Sequence, residues 1–321
     1  DQVSFDYETY YSERSNRWPQ MRLEHPNFVI IGAQKAASTA LLNSLRQHPE
    51  IWMPAEEDAF LRDPVFSKEK IGEFQVKYSG HKEKIIGLKC PDYLARSEVP
   101  KRLATLLPNP KLLLIVRNPV ERAISAYFWR VRWGVLPIVN PSTGLHDLMD
   151  GKYAGIDPTS AEVLEWGLYF RHICNYLRYF AADDMLILND RDLRADPAKS
   201  LSETLAFLGA TQSELPLPVS DSSNAGVYAP QRLRFLQLRN RYILKWNSER
   251  TYYTIFRPRN PAQRAYSNMI AATDRWLLSR VYGNAKPDLS PEVLERLNDY
   301  YRADSRSFQE LLGREMVGWP K

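Results

Sequence analysis

The chain predicts an α/β fold, a central parallel β-sheet of about five strands flanked by helices and carrying an added helical lid, on three observations. The first is FVIIGAQKAASTALLNSL at residues 28–45, which passes from an apolar run through a glycine into a helical pattern. The second is a recurrence of short aliphatic runs that each give way to a polar turn, with KLLLIV at 111–116 a continuous apolar strand of the kind a parallel sheet buries on both faces. The third is size: 321 residues, 44% of them hydrophobic, can bury a large core, and no composition break divides them. A single domain over residues 1–321 is expected.

Residues 1–27 are polar and aromatic without clear periodicity and are expected to wrap the surface before Pro26 sends the chain into the first strand. That strand ends at Ile31 and delivers Gly32 to a turn where a side chain would obstruct. The free backbone N–H groups that open the next helix then favour an anion. Lys35 adds a movable charge, Ser38 and Thr39 add hydroxyl donors, and Leu41, Leu42 and Leu45 form the stripe that holds the helix on the sheet. The pattern is that of a phosphate cradle, with an ordinary βα turn as the plain alternative. It is not the cradle of nucleoside triphosphates. Counted from Gly32 in GxxxxGK[ST], the second glycine position is Ala37 and the lysine position is Ser38. A lysine three places earlier, at Lys35, suggests a 5′-phosphate bearing a further group.

His48-Pro49 ends the first helix, and Ile51-Trp52-Met53 forms a short second strand. Glu56, Glu57 and Asp58 follow it directly. Acids in a loop are usually solvated, but ligands bind at the C-terminal edge of a parallel sheet. A third strand, Ile85 to Leu88, ends in Lys89-Cys90-Pro91-Asp92-Tyr93. After a helix at 99–107, the 111–116 strand ends in Arg117-Asn118-Pro119. A Walker-B strand would end in an acid that holds Mg²⁺; an arginine there argues for a second anion contact. Pro119 suits the first turn of the next helix, and Ser125, two turns in, can converge with Arg117 on one phosphate monoester.

Gly, Pro, Asn and Ser signals at 134–160 predict a long loop with one short helix, and 162–180 a helix whose aromatic face (Trp166, Tyr169, Phe170, Tyr176, Tyr179, Phe180) belongs to the core. A strand at 185–188 and a helix at 196–208 closed by Gly209 follow. The basic, aromatic stretch 231–282 suggests two helices over the sheet. One or two amphipathic helices at 289–312, opened by Ser290 with Pro291 at the first position, close the chain.

A formal charge of +5 and a pI near 9.0 favour anionic ligands. The charges read as dispersed and mixed in sign, so no nucleic-acid footprint is expected. Cys90 and Cys174 make neither a disulfide framework nor a metal cluster, the five histidines lack ligand spacing, and no metal is expected. No run approaches about 18–20 apolar residues, and the N-terminus lacks a signal-peptide profile, so a cytoplasmic chain without a membrane span is expected. Oligomeric state is left open.

Taken in order, IIGAQKAASTALLNSLRQHPEI, EEDAFL, LKCPDYL, LLLIVRNPVERAISAYF and the closing LSPEVLERLNDYYRADSRSFQELLGREMVGW resemble the sulfotransferases that use 3′-phosphoadenosine 5′-phosphosulfate. They are most similar to the branch containing heparan sulfate sulfotransferases and their bacterial relatives. The similarity covers about 27–220 and 286–319 as a core of P-loop type, leaving about 228–283 as a helical insertion or lid.

The resemblance implies a role for each matching position. The 5′-phosphosulfate loop maps to Gly32, Ala33, Gln34, Lys35, Ala36, Ala37, Ser38 and Thr39, with Lys35 steadying the leaving group, and the 3′-phosphate site to Arg117 and Ser125. Glu57 falls on the family's base, Phe60 and Leu61 on its aromatic pair, Lys89 on the lysine of its K-x-P-x-Y turn, and Lys286 in a basic loop over the cofactor. The product would be adenosine 3′,5′-bisphosphate. Glu56 stands where relatives often carry Lys, Leu61 replaces an aromatic residue, and Cys90 replaces Thr or Ser. Sulfuryl transfer is chiefly in-line positioning plus cations where negative charge grows, with a carboxylate to accept the acceptor's proton. Lys35, Lys89 and Glu57 are the expected catalytic residues.

Glu56, Asp58, Asp92 and Tyr93 are expected around the acceptor, and three acids there favour a neutral or cationic small molecule, such as a natural-product intermediate with a guanidinium or amine, over an acidic glycan. The alternatives from other classes are a P-loop kinase and a non-catalytic nucleotide-binding module.

Overall fold

A computed structural model describes residues 23–215, 226–247, 253–256 and 258–321. The expectation that the N-terminal segment wraps the surface falls, for residues 1–22, outside the described residues. The sheet has five strands: β1 (Phe28–Gly32), β2 (Ile51–Trp52), β3 (Ile85–Lys89), β4 (Lys111–Val116) and β5 (Met185–Asn189). All pair in parallel in the order β2-β3-β1-β4-β5, so each hands over to its polar turn at one edge. β1 is buried along its whole length between β3 and β4, which explains its unbroken apolar run. Phe28 lies opposite Gly87, where a Cβ would come within 2.1 Å of the phenylalanine ring; glycine there is a packing requirement of the β1–β3 pair.

Helices α1 (Ser38–Leu45), α2 (Ile71–Tyr78), α3 (Val99–Leu106), α4 (Pro119–Trp133) and α5 (Pro141–Met149) follow the first four strands. α4 starts as its sequence dictates: the Asn118 side chain accepts from the backbone N–H groups of Val120 and Glu121, Pro119 occupies the first turn, and Gly134 ends the helix at φ 75°. The expected helix at 162–180 is instead two, α6 (Glu162–Glu165) and α7 (Tyr169–Leu177). Between them Gly167 packs so tightly that a Cβ would sit 2.8 Å from the Tyr301 ring, and the Asp304 carboxylate accepts from Phe170 and Arg171 N–H to cap α7. Both partners come from the far end of the chain, so no local signal marks the break. α8 (Asp190–Ala195) and α9 (Pro197–Leu208) follow β5.

The insertion departs further from expectation. α10 (Pro230–Ile243) leads into an antiparallel hairpin of β6 (Leu244–Trp246) and β7 (Tyr253–Ile255), and α11 (Pro261–Thr273) continues through a π-helical turn at Asp274–Leu278 into α12 (Ser279–Tyr282). Nor does it lie over the sheet. Leu233, Leu236 and Ile270 join Ala123, Tyr127 and Val131 of α4 in a second hydrophobic cluster, apart from the one built on β1 and β4. α13 (Pro291–Leu312) is one helix, capped by the Ser290 hydroxyl on Val293 N–H as the sequence predicts.

Candidate functional site

The loop after β1 is held from beneath. A Cβ on Gly32 would lie 2.9 Å from Leu94 Cβ and 3.2 Å from the Pro91 carbonyl, so the strand end can approach the turn after β3 only as glycine. Ala33 and Ala36 are buried under the loop, while Gln34, Lys35, Ala37, Ser38 and Thr39 line a cavity of about 790 Å³ above it. Lys35 and Ala37 adopt left-handed backbone, φ 69° and 65°. For a residue with a Cβ this costs about 1–2 kcal/mol, strain of the kind that persists where the surroundings over-determine the loop. Ala37 caps α1 without a side-chain hydrogen bond, so no capping side chain competes for the N–H groups of Ser38 and Thr39 at the helix opening.

Lys35 Nζ lies 4.5 Å from the centroid of the Trp129 ring on α4. Burial, then the charges of Arg132 and Arg117, push its amine down to about 8, and Glu57 only partly offsets them. Several cations crowded at one loop create a positive potential that a bound anion would relieve.

On the β3 side, Lys89 ends its strand almost fully buried, 1% exposed, and its Nζ donates to Glu57 Oε1 at 2.6 Å and to Thr39 Oγ1 at 3.0 Å. The ion pair fixes the direction of the Glu57 carboxylate, whose side chain is 52% exposed. Asp58 N–H donates to the Lys89 carbonyl at 3.0 Å and pins this segment along β3. Glu57 lines the cavity, whereas Asp58 is buried in the core.

On the β4 side, Arg117 donates to Glu121 Oε2 through Nη2 (2.8 Å) and Nε (3.2 Å) and to the Lys35 carbonyl through Nη1 (3.4 Å). Asp190 lies 3.7 Å from its Nε and Lys286 Nζ 4.0 Å from Glu121. Partial burial opposes charge on Glu121, but the hydrogen bonds and charge of Arg117 outweigh it and hold the carboxyl below its usual range. Tyr169 OH donates to the Arg117 carbonyl at 3.0 Å and fixes the strand end. Ser125, one turn beyond Glu121, lines the same cavity.

The structure therefore brings Lys35, Ser38, Thr39, Glu57, Asp92, Arg117, Ser125 and Lys286 around one cavity, with Lys89 behind Glu57. Three of the acceptor-side expectations need correction. Asp58 is buried and its carboxylate accepts from Phe60 N–H, Lys77 Nζ and Tyr78 OH. Tyr93 is fully buried, its hydroxyl donating to the Asp58 carbonyl and accepting from Leu61 N–H. Both are framework. Glu56 is exposed and outside the cavity lining. Asp92 does line it, paired with Arg62, and burial still lifts its carboxyl above the usual range. Cys90 is buried, and its thiol is pushed well up by burial.

Trp129, Glu121, Asn118, Tyr228, Asp190, Arg191, Arg194 and Trp319 also line the cavity without having been expected there. Helical spacing from Ser125 points to Glu121 and Trp129, and the end of β5 points to Asp190 and Arg191. Tyr228 and Trp319 reach it through tertiary packing alone.

The family follows from this arrangement and from sequence comparison together: a sulfotransferase domain model matches residues 25–224, and the chain belongs to the sulfotransferase family. It is 27% identical over 295 residues to heparan sulfate glucosamine 3-O-sulfotransferase 3B1 of Mus musculus, covering 92% of this chain and 65% of that protein. It is 30% identical over 223 residues to the mouse bifunctional heparan sulfate N-deacetylase/N-sulfotransferase 4, covering 66% of this chain and 25% of that one. The chain thus spans just under two thirds of the first relative's length. Among solved structures, the sulfotransferase from Alicyclobacillus acidocaldarius shares the fold at a TM-score of 0.63 and 20% identity, covering 93% of this chain and 100% of that one.

Proposed function

We propose that the protein transfers a sulfuryl group from 3′-phosphoadenosine 5′-phosphosulfate to a hydroxyl or amine of a small-molecule acceptor. The observation that carries this reading is the convergence of Lys35, Thr39, Lys89 and Glu57 at one loop, with Arg117 and Ser125 across the same cavity. The residues fit such a donor: the loop from Gly32 to Thr39 would hold its 5′ side, and Arg117, Ser125 and Lys286 its 3′-phosphate. What the donor supplies is a sulfuryl group activated by a phosphate leaving group. Glu57 takes the proton from the attacking acceptor, Lys89 aims Glu57, and Lys35 sets positive charge where negative charge grows. The test is thermal shift with adenosine 3′,5′-bisphosphate against ATP plus Mg²⁺. A ligand at about 100 times its Kd stabilises by about 2.7 kcal/mol, so the bisphosphate alone should raise Tm. A shift with ATP plus Mg²⁺ only would favour a kinase. Binding without turnover across acceptors would favour a nucleotide-binding module.

Lys35 makes a pH-dependent prediction. Its amine titrates at about 8, so affinity for the bisphosphate should be full below that pH and fall above it as the cation is lost. Calorimetry from about pH 6.5 to about 9.5 should show this for the wild type, and Lys35→Arg, which stays charged, should flatten the profile. A flat wild-type profile would remove Lys35 from the phosphate contacts.

The charge on the two sides of the cavity supports a reading of the acceptor class. Glu57 and Asp92 stand beyond β2 and β3, each paired with one cation, Lys89 and Arg62, whereas Arg117, Arg191 and Arg194 outnumber Glu121 and Asp190 beyond β4 and β5. The β2–β3 side therefore offers a polyanion no surplus of positive charge, and an acceptor entering there would be neutral or cationic. Cationic acceptors should lose kcat/KM as salt rises, since screening weakens exposed attraction. A second reading, a glycan acceptor, is favoured by the relatives named for heparan sulfate. Turnover of heparan-type chains with none of cationic small molecules would establish it instead.

A further inference from the structure

The α11–α12 stretch buries Ser267, Ile270 and Asp274 against the protein, Asp274 pairing with Arg232 at 2.8 Å. Its other side carries exposed polar and basic side chains, as expected, but large apolar ones among them. Met269, Trp276, Leu277 and Val281 are 55%, 64%, 56% and 63% exposed, at helical spacing. Large apolar side chains contiguous on a solvent face mark a contact surface.

Charge identifies the partner. Residues 228–283 hold eleven Lys and Arg against two Asp and Glu, although the whole chain nets only +5, so the rest of the chain is net negative. The apparent dispersion of charge is an average over two unlike parts. Among the described residues of this segment the single acid, Asp274, is spent in its buried pair, while Arg264, Arg275 and Arg280 are exposed along the apolar stretch. The Arg280 guanidinium lies 5.7 Å from the centroid of the Trp276 ring. An acidic polysaccharide would use the cations and gain little from Trp276 and Leu277. A second copy meeting this face with its own α11–α12 would use the apolar side chains and be repelled by the charge. A bilayer with anionic headgroups uses both.

We propose that the α11–α12 face docks on an anionic lipid surface, with Trp276, Leu277 and Val281 entering the headgroup boundary and the flanking arginines on lipid phosphates. Docking is peripheral: among the described residues no helix is long and apolar enough to cross a membrane. Tyr228 opens the same segment and Lys286 lies three residues beyond its end, and both line the cavity, so the docking element and the candidate site are continuous in the chain.

The experiment is co-flotation of the full chain with vesicles of phosphatidylcholine alone and with roughly a third phosphatidylglycerol. The protein should float with the anionic vesicles and less so as salt rises. The double variant Trp276→Ser, Leu277→Ser should partition at least about tenfold more weakly with an unchanged Tm, since both side chains are exposed, and Arg275→Gln with Arg280→Gln should erase the preference for anionic lipid. Absence of flotation by the wild type at low salt overturns the proposal. So does flotation that the Trp276, Leu277 variant leaves intact, because charge alone would then suffice. Heparin binding equal in both proteins without flotation would assign the face to a polyanion, and a dimer dissolved by the variant without flotation would assign it to a second copy.

Discussion

Glu57→Gln is expected to lower turnover by about 10²–10⁴-fold while leaving affinity for adenosine 3′,5′-bisphosphate near that of the wild type. Glutamine keeps the shape and can still accept from Lys89 Nζ, which stands 2.6 Å from the Glu57 carboxylate, so the local structure should survive. What it loses is the capacity to take a proton. The pair also explains why the neighbours are poor substitutes: Asp58 is committed to Phe60, Lys77 and Tyr78, and Glu56 lies outside the cavity lining. Glu56→Gln should therefore retain near-normal kcat. Steady-state kinetics on both variants, with ligand calorimetry on each, checks this. An active Glu57→Gln beside an inactive Glu56→Gln would move the base by one residue.

The strands are legible because each is an apolar run closed by a polar turn, and the ends of α4, α9 and α13 because Asn118-Pro119, Asp196-Pro197, Gly209 and Ser290-Pro291 act locally. The break before α7 is not, since Tyr301 and Asp304 impose it from more than a hundred residues away. The β6–β7 hairpin was hidden for another reason: its paired segments of three residues are too short to show a period. At the candidate site, Lys35, Lys89 and Arg117 sit at or just past strand ends on one edge of the sheet, where topology forces convergence, with Glu57 in the loop after β2 and Ser125 two turns into α4. In the sequence Asp58 reads as one of three clustered acids, but its carboxylate is turned inward by Phe60, Lys77 and Tyr78, two of them about twenty residues further on and invisible locally. The concentration of charge in the insertion was readable, but only in a window narrower than the chain.

Arg117→Ala is expected to weaken adenosine 3′,5′-bisphosphate by about 10–10²-fold, the loss of one or more charge-assisted hydrogen bonds, and to weaken adenosine 5′-phosphosulfate, which lacks the 3′-phosphate, far less. The Arg117 guanidinium donates to Glu121 through Nε and Nη2, so a phosphate must compete with that carboxylate. Glu121→Gln should accordingly tighten the bisphosphate, by a few-fold at most because Glu121 is partly solvent-exposed and its pair with Arg117 is screened. Calorimetry with both ligands separates the roles. Equal losses for the two ligands in Arg117→Ala would remove Arg117 from the 3′ site. If Glu121 acts through Arg117 and not through Lys286, 4.0 Å away, then Glu121→Gln should change nothing once Arg117 is alanine. A gain that persists in the double variant would place the competition at Lys286 instead, and make the basic loop, not the end of β4, the principal seat of the 3′-phosphate.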